Sequence, residues 1–240
     1  MLLAALGALG LAGCGDRESR SAPEHPEPAA SATASDASRI AALGDSITAG
    51  SPLYDPDPAL REALGFGDDE RSQYSYWAER ADPTLEFENC GVFGERTEEI
   101  AARLGECAVG AETVIVQGGI NDIARALGAG DAAVSAAVAG AARNLDSLVA
   151  QAQGEGLQVA IVTVLPWNNA HPAADQAIAQ LNTQIKGIAR RRAITRIDFH
   201  AALEDPDSPG LMGPGLTDDG DHPSIAGYRI LGELAAGKLP

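Results

Sequence analysis

Apolar residues are spaced in two alternating ways along most of this chain. Five short runs, Arg39–Leu43, Thr84–Asn89, Thr113–Gln117, Val159–Leu165 and Ile194–Asp198, are rich in β-branched residues and apolar at odd and even positions alike. Strands covered on both faces read this way. Between them the spacing changes to three and four. Val134, Val138, Ala141, Leu145, Leu148 and Ala152 form one helical stripe, with Asp131 in front as the expected N-cap. Ile178, Leu181, Ile185 and Ile188 form a second, and Ile225, Ile230, Leu231 and Leu234 a third. Alternating strands and helices predict an α/β, three-layer sandwich around a five-stranded parallel sheet. Right-handed crossovers fit the flavodoxin-like strand order 2-1-3-4-5.

The first 38 residues follow neither pattern. Residues 1–13 are a Leu/Ala/Gly-rich run too short to span a bilayer, and they end at Cys14. Residues 14–38 are rich in Pro, Ala, Ser and Glu without apolar periodicity, the composition of a flexible tether. Leu11-Ala12-Gly13-Cys14 resembles the lipobox of bacterial lipoproteins. The resemblance implies a signal peptide over 1–13, lipidation of Cys14, and an exported, lipid-anchored protein on the periplasmic face of a bacterial envelope. Residues 39–240 are then one domain, long enough to bury a sizeable core.

Net charge is −17, and the one basic cluster, Lys186–Arg196, lies at the end of a predicted helix. That balance argues against nucleic acid as a partner and against docking on anionic lipid. Arg190, Arg191 and Arg192 suit a helix C-terminus. Besides Cys14 the chain has Cys90 and Cys107. An exported compartment permits a disulfide between them. Yet Cys90 should end a strand and Cys107 should follow the next helix, at the opposite end of the sheet, and bridging needs Cα atoms within about 7 Å. The pairing stays open. Neither cysteine has the Cys or His neighbours of a zinc site, so no metal is expected.

The candidate chemistry sits just beyond the strands, where ligands bind in open parallel sheets. Ser46 follows the first strand in Gly44-Asp45-Ser46; a plain helix cap is the bland alternative. Asn121 follows the third in Gly118-Gly119-Ile120-Asn121-Asp122, where two glycines allow close backbone approach. His222, with Asp219 three residues earlier, precedes the last helix, so one loop could present base and orienting carboxylate. Of the other histidines, His25 lies in the tether and His171 in a Pro-flanked loop, while His200 is the rival base.

These stretches, with Asn89–Thr97, together resemble the SGNH, or GDSL, hydrolase superfamily from about Arg39 onward. The resemblance implies the same α/β fold and a serine esterase needing no cofactor. It assigns Ser46 as nucleophile, His222 as base, Asp219 as its partner, and Gly94 and Asn121 as oxyanion donors. Phe93 and Arg96 depart from the family pattern, which usually has a small residue and Thr there. Asp45 and Asp122 read as carboxylates that hold the neighbouring loops. Trp167 and Asn168, after the fourth strand, are candidate substrate contacts. The long connection Ser51–Trp77 holds four of the six Tyr and Trp residues; of these, Tyr74, Tyr76 and Trp77 either line the substrate or start a helix and pack inward. Three functions are consistent with this inventory: an ester hydrolase on small-molecule, lipid or glycan esters, an envelope glycan acyltransferase, and a non-catalytic binding lipoprotein. The substrate and the oligomeric state are not legible.

Overall fold

A computed structural model describes residues 37–50 and 69–239. The expected signal, tether and Cys14, and most of the Ser51–Trp77 connection, lie outside the described residues.

Five parallel strands form the sheet: β1 (Ser38–Gly44), β2 (Leu85–Gly91), β3 (Thr113–Val116), β4 (Gln158–Val162) and β5 (Thr195–Ile197), in the spatial order β2-β1-β3-β4-β5. This is the predicted order. Register follows burial: Ile40 stands beside Phe87 and Thr113, and Leu43 beside Cys90 and Val116. Ala41, Leu43, Val114, Val116 and Ile161 face one layer, built from the helices Asp131–Gly154 and Asp175–Arg192 and shorter helices. Ile40, Ala42, Ile115, Ala160 and Ile197 face the other, with the helices Tyr74–Ala81, Phe199–Leu203 and Ile225–Ala236. Both faces are covered, which is why the strands are apolar at both parities.

Three local readings change. Gly130, not Asp131, occupies the N-cap of the long helix, and Asp131 is its first helical residue, where its charge favours the helix N-terminus. In the last helix the buried stripe is Tyr228, Leu231 and Ala235 with Gly227 and Gly232, rather than Ile225, Ile230 and Leu234. Gly232 sets that rotation: a Cβ there would lie 2.4 Å from Trp77 Cβ and 2.5 Å from the Tyr74 carbonyl. Close approach through a small residue outweighs the larger apolar stripe. In the facing helix Tyr74 is fully buried, while Tyr76 and Trp77 are half-exposed. The Trp77 indole donates to the Arg71 carbonyl at 2.8 Å.

One feature was not foreseen, and one open question closes. A small antiparallel hairpin, β6 (Glu204–Asp205) and β7 (Ser208–Met212), follows β5; its Pro- and Gly-rich sequence lacks strand periodicity. Cys90 and Cys107 are bonded, with Cα atoms 5.9 Å apart. The expectation of opposite sheet ends assumed one long helix after β2. Instead the helix breaks at Arg103 into Thr97–Ala102 and Leu104–Cys107, and the second piece brings Cys107 back beside β2.

Candidate active site

Ser46 opens a single helical turn, Ser46–Ala49, at the end of β1. Asp45 is its N-cap: Oδ1 accepts from the Ile47 amide at 3.0 Å. Gln117, just past β3, receives the Asp45 amide at 3.0 Å and the Thr48 hydroxyl at 2.9 Å through one oxygen. Gly91, at the end of β2, lies against this turn so closely that a Cβ would sit 1.9 Å from the Ala49 nitrogen. Asn89 adds a donation to the Thr48 carbonyl at 2.9 Å. Two neighbouring strands therefore clamp the turn that carries Ser46.

His222 reaches Ser46 from 176 residues away: Nε2 lies 3.0 Å from Ser46 Oγ. Its Nδ1 lies 2.9 Å from Asp219 Oδ2. The network assigns the proton to Nδ1, leaving Nε2 to accept from the serine hydroxyl. Asp219 Oδ1 also accepts from the amides of Asp221 at 2.8 Å and His222 at 2.7 Å. Burial alone would raise the Asp219 carboxyl, but those amides and the imidazole outweigh it and hold it below the usual range. Ser46 is only 7% exposed.

His200 is elsewhere. Its Nδ1 lies 2.9 Å from the Val164 carbonyl and its Nε2 3.4 Å from Glu204. His171 lies beside Asp175 at 2.7 Å. Neither competes for Ser46.

Gly94 and Asn121 meet through the segment between β2 and the next helix. Gly94 has a positive φ of 75°, a conformation glycine adopts freely. Arg125 donates to its carbonyl at 2.7 Å. Asn121 Nδ2 donates to the Glu95 carbonyl at 2.9 Å, which leaves its second N–H for a ligand. Asp122 accepts from the Thr97 amide and hydroxyl at 3.0 and 2.9 Å, so it fastens the Asn121 helix to the Gly94 segment. Burial is the main reason the Asp122 carboxyl is raised. Burial likewise pushes Asp45 up to about 6; its Oδ2 is enclosed without a hydrogen-bond partner. Both carboxylates hold loops.

Trp167 and Asn168 divide the roles expected of them. The Trp167 indole donates to Asp221 at 2.5 Å. Asn168 turns to the hairpin, where its Oδ1 accepts from the Met212 amide at 2.8 Å. The sequence reading missed Asn169, whose amide donates to the Asp219 carbonyl at 2.8 Å and to Asp221 Oδ1 at 2.7 Å. It also missed the ion pair of Arg103 and Glu95 at 2.6 Å. Arg103 further donates to the Cys90 carbonyl at 2.7 Å. Asn169 adjoins two residues already singled out. Arg103 had no local signal, because its partners lie on two strand ends and in the loop after β2.

A sequence model of the GDSL-like lipase/acylhydrolase family matches residues 42–230, a stretch that holds every residue of the assembly around Ser46. The chain belongs to this family. It is therefore a carboxylic ester hydrolase of the GDSL type, with the five-stranded sheet of that fold. Similar solved structures include a member of the lipolytic G-D-S-L family from Veillonella parvula, at 21% identity, TM-score 0.65, covering 84% of this chain and 97% of that one. The lipase/acylhydrolase from Enterococcus faecalis is 22% identical with TM-score 0.61, over 83% and 94%. A catalytic mutant of an acetylxylan esterase from Geobacillus stearothermophilus is 19% identical with TM-score 0.60, over 84% and 93%. At these identities the likeness is one of fold. No curated protein matches the chain.

Proposed function

We propose that the chain hydrolyses acyl esters through a Ser46–His222–Asp219 triad and an acyl-enzyme intermediate. The observation that carries this reading is the pair of contacts on one imidazole, 3.0 Å to Ser46 Oγ and 2.9 Å to Asp219. His222 Nε2 takes the Ser46 proton as Oγ attacks the ester carbonyl. The carbonyl oxygen becomes an oxyanion facing the amides of Ser46 and Gly94 and the free N–H of Asn121. Collapse expels the alcohol, which takes the proton from His222. A water, deprotonated by the same nitrogen, then attacks the acyl-enzyme and releases the acid. Asp219 holds Nδ1–H throughout and stabilises the imidazolium.

The test is a set of single and double variants assayed on aryl esters. Ser46→Ala and His222→Ala should each lower turnover about 10⁶-fold, and their combination hardly further, because nucleophile and base act as a unit. Asp219→Asn should cost about 10⁴-fold, and Asn121→Ala about 10²- to 10³-fold. Near-normal hydrolysis without Ser46 would sink the mechanism. Faster acyl transfer to an added glycan than to water would replace hydrolase with transferase.

A further inference from the structure

Asp218, Asp219 and Asp221 all stand just before His222, and one of them is paired with its ring. Asp219 Oδ2 lies 2.9 Å from Nδ1. Asp221, the immediate neighbour of His222, turns elsewhere: its Oδ1 accepts from the Trp167 indole and from Asn169 Nδ2 at 2.7 Å. Asn169 Nδ2 also donates to the Asp219 carbonyl at 2.8 Å, so both hydrogens of that amide are spent on the loop of the base. The backbone amides of Asn168 and Asn169 donate to the Gly220 carbonyl, at 3.1 and 3.3 Å. A Cβ at Gly220 would lie 2.5 Å from Asn169 Oδ1, so the two loops meet without room for a side chain between them.

The two carboxylates are fixed by different means. Asp219 is oriented within its own loop, where its Oδ1 accepts the amides of Asp221 and His222. The donors on Asp221 come from across, from Trp167 and Asn169. A loose carboxylate one residue from an imidazole favours the imidazolium and competes for Nδ1–H. A ring drawn to Asp221 would carry Nε2 away from Ser46. Resting on the triad reading above, we propose that Trp167 and Asn169 are positioning residues that hold Asp221 off the imidazole, so that Asp219 is its one carboxylate partner. The other titratable groups about the ring are Asp45, under the Ser46 turn, and the Tyr228 phenol of the last helix, on which the charges of Asp45 and Asp219 act. Both are fully buried. The Phe93 ring, 6.2 Å from that of His222, brings no charge.

The experiment is a cycle of variants of the whole chain, assayed on p-nitrophenyl acetate across about pH 5 to 8, where histidine titrates. Asp221→Asn alone should stay near wild type, because its amide oxygen still accepts both hydrogen bonds and carries no charge. Trp167→Phe combined with Asn169→Ala frees the carboxylate. Its kcat should fall about 10- to 100-fold, the scale of an ångström's misplacement. The acid limb of its kcat/KM profile should move up by about half a pH unit, the scale of one charge a few ångströms off through solvent. The direction is upward because a freed carboxylate favours the imidazolium, which cannot take the serine proton. Adding Asp221→Asn to that pair should recover about ten-fold in kcat and return the limb to its wild-type place. A loop that had merely slackened would work no better with asparagine than with aspartate at position 221. If the triple variant stays as slow as the double, or the double keeps wild-type kcat and pH profile, the proposal is overturned and the triad stands. Should Trp167→Phe prevent folding, Asn169→Ala with and without Asp221→Asn runs the same cycle. If wild type turns over no ester and a fluorophosphonate leaves Ser46 unlabelled, the triad reading falls and this one with it.

Discussion

Arg103 donates to the carbonyl of Gly44 at 3.1 Å, joining residues 59 positions apart. Gly44 ends β1 and is followed directly by Asp45 and Ser46. The same guanidinium holds the Cys90 carbonyl of β2 and the Glu95 carboxylate. Glu95 in turn offers its own carbonyl to Asn121. One cation thus fixes the strand ends beneath Ser46 and the Gly94–Glu95 segment that Asn121 holds. Its side chain is 23% exposed and that of Glu95 17%, so solvent screens the pair only in part.

Arg103→Met keeps the aliphatic stem and removes every one of those bonds. We expect a stability loss of about 2 kcal/mol, the scale of charge-assisted hydrogen bonds, measured by urea unfolding. Turnover should fall about 10²-fold through displacement of the oxyanion segment, with KM much less affected. A variant as active as wild type would show that the segment holds itself.

Gly91→Ala tests the clamp on the nucleophile turn. The new Cβ would fall 1.9 Å from a backbone nitrogen, and backbone cannot step aside cheaply. The cost should reach at least about 3 kcal/mol, the upper end of overpacking, with loss of fluorophosphonate labelling at Ser46. Gly105→Ala is the contrast: it lies in the short helix Leu104–Cys107 with no atom near the added methyl. It should stabilise by about 0.5–1 kcal/mol. Equal melting temperatures for the two variants would refute the contrast.

Reduction of Cys90–Cys107 tests whether the bond is structural. The cysteines are 17 residues apart, and opening such a loop should remove about 3 kcal/mol. The melting temperature should drop on reduction, while initial rates at low temperature stay nearly unchanged. A steep loss of activity without a change in melting would place the bond in catalysis.

Asp45 makes the stability depend on pH. Its carboxyl is raised from 3.8 to about 6 by burial, so the folded state favours the protonated form. The stability this contributes is fully present below about pH 4 and is lost as pH rises through 6, amounting to about 3 kcal/mol. Asp219 is shifted the other way, and its contribution is present above the ordinary carboxyl range and lost as pH falls. Comparison with Asp45→Asn isolates the first effect, because Asn still caps the Ser46 turn. The variant should gain on wild type from pH 4 to 7; a constant difference across that range would remove Asp45 as the cause.

The sheet order and the meeting of Ser46, His222 and Asp219 were readable because each leaves a local mark. Buried parallel strands are apolar at both parities, and Ser46, Asn121 and His222 each follow a strand or precede a helix within a short motif. The support was not readable. Arg103, Gln117 and Asn169 act on partners 59, 72 and 52 positions away, and no periodicity records such distances. The disulfide stayed open for a related reason: its geometry turns on a break at Arg103 that helix propensity alone does not mark. Asn168 carried a substrate role on position in the loop, whereas its amide is engaged by the backbone of β7.

The separation of 176 residues between Ser46 and His222 also orders events in time. A ribosome adding about 5–20 residues per second needs roughly 9 to 35 s to pass from one to the other. Throughout that interval Ser46 is present without His222. Strands β1 to β5 can pair before then, but the Ser46–His222 contact cannot form until the loop before the last helix arrives. On the proposed mechanism, hydrolysis therefore waits until the segment that carries His222 has been made.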